Sequence, residues 1–447
     1  VTFRRALGPF DATMMVIGGV IGAGIFITPY IVAQRLGSAG LVLAAWVAGG
    51  GMALAGAFAY AELGAIFPRA GGQYVYLSRA FHPLVGFLYG WALLLIIETG
   101  AIAAVAITCA EYTLRLVGRG GAAATPLAIL AIVLVSIVNY LGVKPGSRLL
   151  NLFVLLKVFA LGILIGAGLL LPIEAGGPAA QAATPSGGSG LVAFGAALVP
   201  ILFTYGGWQQ TNYVAEEIED PRRTLPIALV AGTIAIVTIY LLVNVVYLRA
   251  LGHAGLAATM TPAVDASSRF LGPWGDRFIA AAIAISTFGF LDLAVLAPTR
   301  VYYAMAADGL FVRGVSRLHP RYRTPFVAII VQSVWAIALL LTGTYGQLLD
   351  YVVFADWIFF GLSVATLFVF RATMPLEGRA PGTFRSPGYP VVPATFVLVA
   401  AGVVLSVVWS NPARSALGAA LLAAGVPVYW YHARRKDALQ GVSAGRA

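Results

Sequence analysis

Apolar runs of about 20 residues, the length an α-helix needs to cross a bilayer, alternate along this chain with short polar or basic stretches. Twelve such runs fall near 11–35, 40–66, 84–112, 125–142, 149–171, 191–215, 225–248, 276–305, 326–343, 351–371, 391–410 and 415–431. Two of them contain glycine where a membrane helix has no reason to break. The first reads Gly18-Gly19-Val20-Ile21-Gly22-Ala23-Gly24-Ile25-Phe26-Ile27-Thr28-Pro29. The second, about 185 residues later, reads Pro200-Ile201-Leu202-Phe203-Thr204-Tyr205-Gly206-Gly207-Trp208. Lipid cannot satisfy the amides and carbonyls freed at a break, so irregular backbone at membrane depth must face protein or a water-filled cavity. Paired broken helices, one in each half of a chain, point to the binding site of a secondary transporter.

Composition narrows the class. With 60% hydrophobic and 10% charged residues and a mean hydropathy of +0.90, 447 residues do not make a soluble globule. No separate soluble domain fits between the runs. Placing the N-terminus inside puts 20 Lys and Arg on the inner side and 7 on the outer, with Lys157 left within a span. That bias predicts cytoplasmic termini and an even number of spans. The net charge of +11 is mostly this bias plus contact with anionic headgroups. Nucleic-acid binding would need a clustered basic face on a soluble element, and the sequence has none. Cys109 stands alone in the third run, which excludes an internal disulfide. Arg4-Arg5 ahead of an apolar run also has the shape of a cleavable leader, but the Gly-rich centre and Pro29 suit a broken first span better. Connections 173–190 and 250–275 are expected outside, and 306–325 and 372–390 inside. Residues 73–81 read as an interfacial helix. Compact loops and an Ala/Gly/Arg-rich composition suggest a bacterial inner (cytoplasmic) membrane.

Several motifs resemble one known group. Gly22-Ala23-Gly24-Ile25-Phe26 is similar to the broken first helix of the amino acid–polyamine–organocation (APC) superfamily. Tyr60-Ala61-Glu62-Leu63-Gly64 with Pro68-Arg69-Ala70-Gly71-Gly72-Gln73-Tyr74, and Asn139-Tyr140-Leu141-Gly142-Val143-Lys144 with Asn151 and Lys157, match further stretches of it. Phe203-Thr204-Tyr205-Gly206-Gly207-Trp208, Glu216-Glu217 and Pro221-Arg222-Arg223-Thr224-Leu225-Pro226 resemble its L-type amino acid transporter branch. The likeness runs from residue 8 to about 325; the last four spans match in hydropathy only. It implies an all-α integral membrane protein of the LeuT-type 5+5 inverted-repeat fold, with 12 transmembrane helices and helices 1 and 6 broken. The repeats would be 8–172 and 191–372, with accessory spans in 391–431.

A zwitterionic amino acid needs opposite partners for its two charges. The outer half of the first helix would offer free amides near Gly22, Ala23 and Gly24 to a carboxylate. The inner half ends in carbonyls at Val20 and Ile21 that can accept from an ammonium, and Phe203 adds another. Ala23 stands where the family commonly has Ser. Small-residue helix packing is the alternative for the glycines; the second break favours a site. The family implies Phe203 as an aromatic gate, with Tyr205, Gly206, Trp208 and Gln209 bordering the side-chain pocket. Ile97, Ala101 and Ala104 project at helical spacing from the third span, with Phe290 facing them from the eighth. This mostly apolar lining favours neutral substrates.

Lys157 is the sharpest single residue. An unpaired mid-span ammonium costs several kcal/mol, and the interface lies near the limit of its stem. Sodium-coupled relatives of this fold hold a cation between the first and eighth spans. The Lys157 ammonium could occupy that place, tethering carbonyls near Gly18 or Gly19 to Ser286 or Thr287, which implies sodium-independent transport. Glu98 and Asp292 are intramembrane acids and functional candidates by default, yet a neutral structural role fits them equally. Glu62, Glu216, Glu217, Glu219 and Asp220 fall at span ends beside arginines and read as solvated gate or loop ion pairs.

The expectation is a sodium-independent exchanger of neutral amino acids with no cofactor and no resident metal. A proton-coupled symporter, or a carrier of cationic amino acids or polyamines, is the alternative raised by Glu98 and Asp292. Human-type relatives pair with a single-span chain through a loop cysteine; none follows the third span, so a stand-alone carrier is expected. The four His are scattered (His82, His253, His319, His432), against an enzyme. The spans lack the continuous polar stripe of a channel. A sensor that binds without transporting stays open.

Overall fold

The computed structural model describes residues 2–173, 190–343, 345–374 and 382–444. Most of the expected outer connection 173–190 and the inner-side Arg379 and Arg446 lie outside the described residues. The described chain is helical, with one isolated parallel bridge, Leu7 to Ile218, where the N-terminal strap laces onto the end of the sixth apolar run. Its helices are α1 (Pro9–Val20), α2 (Gly24–Arg35), α3 (Ala39–Ile66), α4 (Gln73–Ala80), α5 (Pro83–Ala92), α6 (Glu98–Leu116), α7 (Ala124–Tyr140), α8 (Val143–Leu170) and α9 (Gly190–Thr204). There follow α10 (Pro221–Ala258), α11 (Pro262–Leu271), α12 (Trp274–Leu296), α13 (Thr299–Ala307), α14 (Phe326–Thr342), α15 (Tyr345–Thr373), α16 (Val391–Ser410) and α17 (Pro412–Ala444). Among the described residues nine helical stretches are long and apolar enough to cross a membrane, or ten with α1 and α2 taken as one span bent by 44°. The apolar α14 is shorter, at 17 residues.

The helix bounds follow the hydropathy runs closely, because length and apolarity dictate them. Two departures are local. A π-helical turn, Leu93–Ile97, interrupts the third span just before Glu98. The expected connection 250–275 is mostly helical: α10 continues past Gly252 (φ +68°) to Ala258, and α11 follows.

Small residues let the helices close on one another, as expected where van der Waals contact replaces the hydrophobic effect. A Cβ on Gly232 of α10 would sit 2.6 Å from Val16 of α1, and one on Gly18 2.9 Å from Val154 of α8. Among the described glycines, the closest approach to another backbone joins the two broken spans. A Cβ on Gly207 would fall 2.0 Å from the Gly19 carbonyl oxygen, and Gly207 has φ +112°. Both facts demand glycine at that position.

Of the acids near the span ends, Glu62 and Glu217 are buried, whereas Glu219 and Asp220 are exposed. Arg300 donates from Nε to Glu217 Oε1 at 2.6 Å, with both side chains 1% exposed. Arg371 donates to both oxygens of Glu62, at 3.0 and 2.5 Å, and the Ser386 amide adds a third bond at 2.7 Å. This corrects the expected solvated pairs for Glu62 and Glu217: their helices stay inside the bundle at these residues, so packing excludes water. Glu216 keeps a looser role, accepting from the Ala70 amide at 3.3 Å.

Two outcomes follow from this packing. Arg300→Met leaves the Glu217 carboxylate buried without its cation, an expected loss of about 3–5 kcal/mol. It should be read as earlier thermal unfolding of the purified protein in detergent, with Glu217→Leu added on top restoring most of the loss; a single variant as stable as the parent would refute the pair's role. Gly207→Ala should separate the two broken spans and also lower the melting temperature. Gly51→Ala, on a part of α3 where a Cβ meets nothing within 4 Å, should leave it unchanged.

Candidate functional site

The first break is built from the end of α1 and the start of α2. Ile21 leaves the helix with an extended backbone (φ −77°, ψ 90°), and α2 resumes at Gly24. The freed carbonyls at the end of α1 carry partial negative charge, and protein donors fill them. Lys157 Nζ donates to Gly18 O at 2.9 Å and to Ile21 O at 2.7 Å. Ser286 Oγ contacts Ile21 O at 3.0 Å and Gly22 O at 3.2 Å. Tyr240 donates its hydroxyl to Val20 O at 3.0 Å, and the Gly22 amide reaches the same oxygen at 2.9 Å. The Lys157 side chain is buried, and its bonded partners are these helix-end carbonyls. Val20 and Ile21 therefore carry protein donors in this conformation, where free acceptors were expected.

On the other side of the gap, helix geometry leaves the amides of Ala23, Gly24 and Ile25 without partners inside α2. Gly22, Ala23 and Gly24 are only half-buried. This is a helix N-terminus with open amides, the arrangement that receives anions. Phe290 lines it, its ring 3.9 Å from where a Gly22 Cβ would stand.

The second break lies alongside. α9 stops at Thr204, and after Gly207 the chain continues as a 3₁₀ stretch, Trp208–Glu217. The Thr204 and Thr28 hydroxyls share a hydrogen bond of 2.7 Å, tying α9 to α2. The Phe203 ring is 43% exposed, while its carbonyl accepts from the Gly206 amide at 3.0 Å. Ala101 is half-buried on α6; Ile97 and Ala104 are buried.

Several expected lining residues face elsewhere. Tyr205 is buried between Trp46 and Tyr240, at ring distances of 5.6 and 5.2 Å. Trp208 packs edge-on against Tyr60 at 4.9 Å and stacks on Phe360 at 5.9 Å. Together with Gly206 and Trp357 they border a cleft of about 10 Å³, room for one water rather than a side chain. Gln209 turns back to accept from the Gly207 amide at 2.9 Å, which caps the broken helix. Thr287 bonds its own helix at Ile283 O and Ala284 O, and Gly19 meets Gly207 rather than the Lys157 ammonium.

The acids divide. Asp292 accepts from Asn139 Nδ2 at 2.7 Å between α12 and α7, away from the breaks. Glu98 follows the π turn, and its bonded partner is Gln210 Nε2 at 3.4 Å, from the tail of the second break. Asp356 of α15 is a second acid in the bundle, on a helix that packs against α6. Asp356 was missed although it lies in the apolar run 351–371 and meets the same criterion that singled out Glu98 and Asp292. Gln73 was missed as well: its Oε1 accepts from Tyr89 at 2.7 Å and Tyr213 at 2.9 Å, and its Nε2 donates to Ser363 at 3.3 Å. That knot joins four elements on the Arg-rich side of the breaks. Among the described residues no group of three His, Cys, Asp or Glu is placed to hold a metal ion.

Comparison with known proteins agrees with this geometry. The family model described as amino acid permease matches residues 7–430. The human cystine/glutamate transporter is 31% identical over 435 residues, covering 96% of this chain and 85% of that protein. The human large neutral amino acids transporter small subunit 2 is 29% identical over 457 residues, covering 97% and 82%. The human b(0,+)-type amino acid transporter 1 is 29% identical over 415 residues, covering 92% and 84%. These relatives are transporters, not enzymes. With its paired helix breaks and a family match across nearly its whole length, this multi-pass membrane chain belongs to the amino acid permease family of the APC superfamily and resembles its L-type branch.

Proposed function

We propose that this permease exchanges neutral L-amino acids across a bacterial cytoplasmic membrane by alternating access, without sodium and without a covalently attached partner chain. The reading takes twelve spans with both termini inside, repeats over 8–172 and 191–372, and an accessory pair in 391–431. The carrying observation is the Lys157 ammonium on Gly18 O and Ile21 O, with Ser286 sharing Ile21 O. A lysine donor in that position can do what a bound cation does for a broken helix: it satisfies the carbonyl end and holds the gap in shape.

Substrate would then bind across the two breaks. Its carboxylate takes the amides of Ala23 and Gly24, and its side chain lies among Phe203, Phe290 and Ala101, an apolar lining that favours neutral groups. Its ammonium needs acceptors, and the Phe203 carbonyl with those of α1 are the nearest backbone groups. Because those carbonyls are already partnered, binding must share or displace a protein donor. Closure on the Arg-rich side would rest on the Gln73 knot, whose members come from segments that must part for release.

A second reading has its own observation. Glu98 and Asp356 sit inside the bundle with no cationic partner among the described residues, Glu98 being held only by Gln210. Such a pair suits a coupling proton or the second amine of a cationic substrate. Uptake of labelled amino acids into proteoliposomes separates the readings. Exchange predicts uptake that needs amino acid inside the vesicle and ignores both sodium and a proton gradient. Proton-driven uptake into empty vesicles would overturn exchange in favour of the acid pair, and binding without flux would leave a sensor.

A further inference from the structure

The C-terminal helix carries a second built feature, far from the breaks. Trp430 and Tyr431 follow Pro412 by 18 and 19 residues on α17, about 27–29 Å along a helix axis and thus close to the thickness of a hydrocarbon core. Both are well exposed, at 49% and 61%, which places an aromatic belt at that level. Immediately beyond come Arg434, Arg435 and Lys436.

Opposite this turn lies the chain that leaves α13. Its Phe311 ring packs against His432 at 6.4 Å, and the Lys436 stem runs along Gly309, a position with φ +77°. Between the two walls is a cavity of about 900 Å³ whose lining includes Arg313, Arg435 and Lys436. Among the described residues none of these three cations, nor Arg434, lies within ion-pair distance of a carboxylate. One acid, Asp308, also lines the cavity and accepts from the Tyr74 hydroxyl at 2.7 Å, leaving the cations in excess. A second cleft, on the outer side of the same turn, shares Tyr431 and Arg435 with it and adds Trp430 and Arg434.

We propose that this pocket between α17 and the segment after α13 holds the headgroup of an anionic phospholipid. Arg313, Arg435 and Lys436 take the phosphate, and Trp430 and Tyr431 lie against the glycerol and upper acyl chains. Charge selects the ligand: a cavity with three cations at the membrane surface matches an acidic headgroup, whereas a zwitterionic one brings its own ammonium against them. The belt selects lipid over free phosphate, because it supplies an apolar wall that an inorganic ion does not use. The proposal rests on α17 being an accessory span, as the twelve-span reading above has it, and not on exchange, so its failure and the failure of exchange are distinguishable.

The test uses the full chain in nanodiscs containing bromine-labelled phosphatidylglycerol or bromine-labelled phosphatidylcholine. Subtracting the fluorescence of Trp430→Phe isolates the Trp430 signal. Quenching by the anionic lipid should exceed that by the zwitterionic one at equal mole fraction. R313Q, R435Q and K436Q should each reduce the preference, by about fivefold per cation, the factor corresponding to about 1 kcal/mol for a basic residue near an anionic surface. Inorganic phosphate added to the buffer should not compete. Equal quenching by the two lipids in the unsubstituted protein, or displacement of the anionic lipid by phosphate, would overturn the proposal.

Discussion

The architecture depends on one buried charge held by backbone. Lys157 places an ammonium at the end of α1, where carbonyls released by the break would otherwise face a low-dielectric interior unpaired. Leaving a buried acceptor unmade costs about 1–3 kcal/mol, and an unpaired ammonium at membrane depth costs more. Each group cancels the other's penalty: the carbonyl dipoles of Gly18 and Ile21 stabilise the cation, and the cation stabilises the broken end. Ser286 and Tyr240 complete the set from α12 and α10, so elements far apart in sequence meet at one helix terminus.

Beside this terminus the two broken spans touch, because Gly19 and Gly207 put no side chain between them. One break then supports the other, and the unpartnered amides at the start of α2 are left as the polar surface facing the gap. Donor-filled carbonyls beside open amides make the site asymmetric. An incoming carboxylate finds vacant donors, whereas an incoming ammonium must compete with Lys157, Ser286 and Tyr240.

Much of this was legible in the sequence, and for identifiable reasons. Helix positions are set by the apolar runs, so each run met a helix, though α10 and α17 extend well past theirs and nine or ten stretches among the described residues are long and apolar enough to span. The breaks were legible from glycine clustered at corresponding places in the two halves, beside Pro29 and Pro200, rather than from glycine as such, which also serves helix packing. Lys157 stood out because a lone ammonium in an apolar run is costly. The sequence was silent where the answer depends on which way a side chain turns. Tyr205 and Trp208 follow a break, and the left-handed step at Gly207 lies between them; no periodicity fixes their faces, and both pack into the bundle around a cleft too small for a side chain. The Arg300–Glu217 and Arg371–Glu62 pairs join residues far apart in the chain, and nothing at either position separates a buried pair from a solvated one. The π turn before Glu98 leaves no compositional trace, because Leu and Ile suit a regular helix equally well.

Equilibrium binding of a labelled neutral amino acid to the purified protein, in sodium chloride and in choline chloride, tests most directly whether the Lys157 ammonium shapes the site. The parent should bind equally in both salts, and Lys157→Met should lose affinity by roughly 5- to 150-fold, as expected for about 1–3 kcal/mol of coupling between the cation and the gap. A parent that binds only with sodium present, or a Lys157→Met variant that binds as the parent does, would contradict the account.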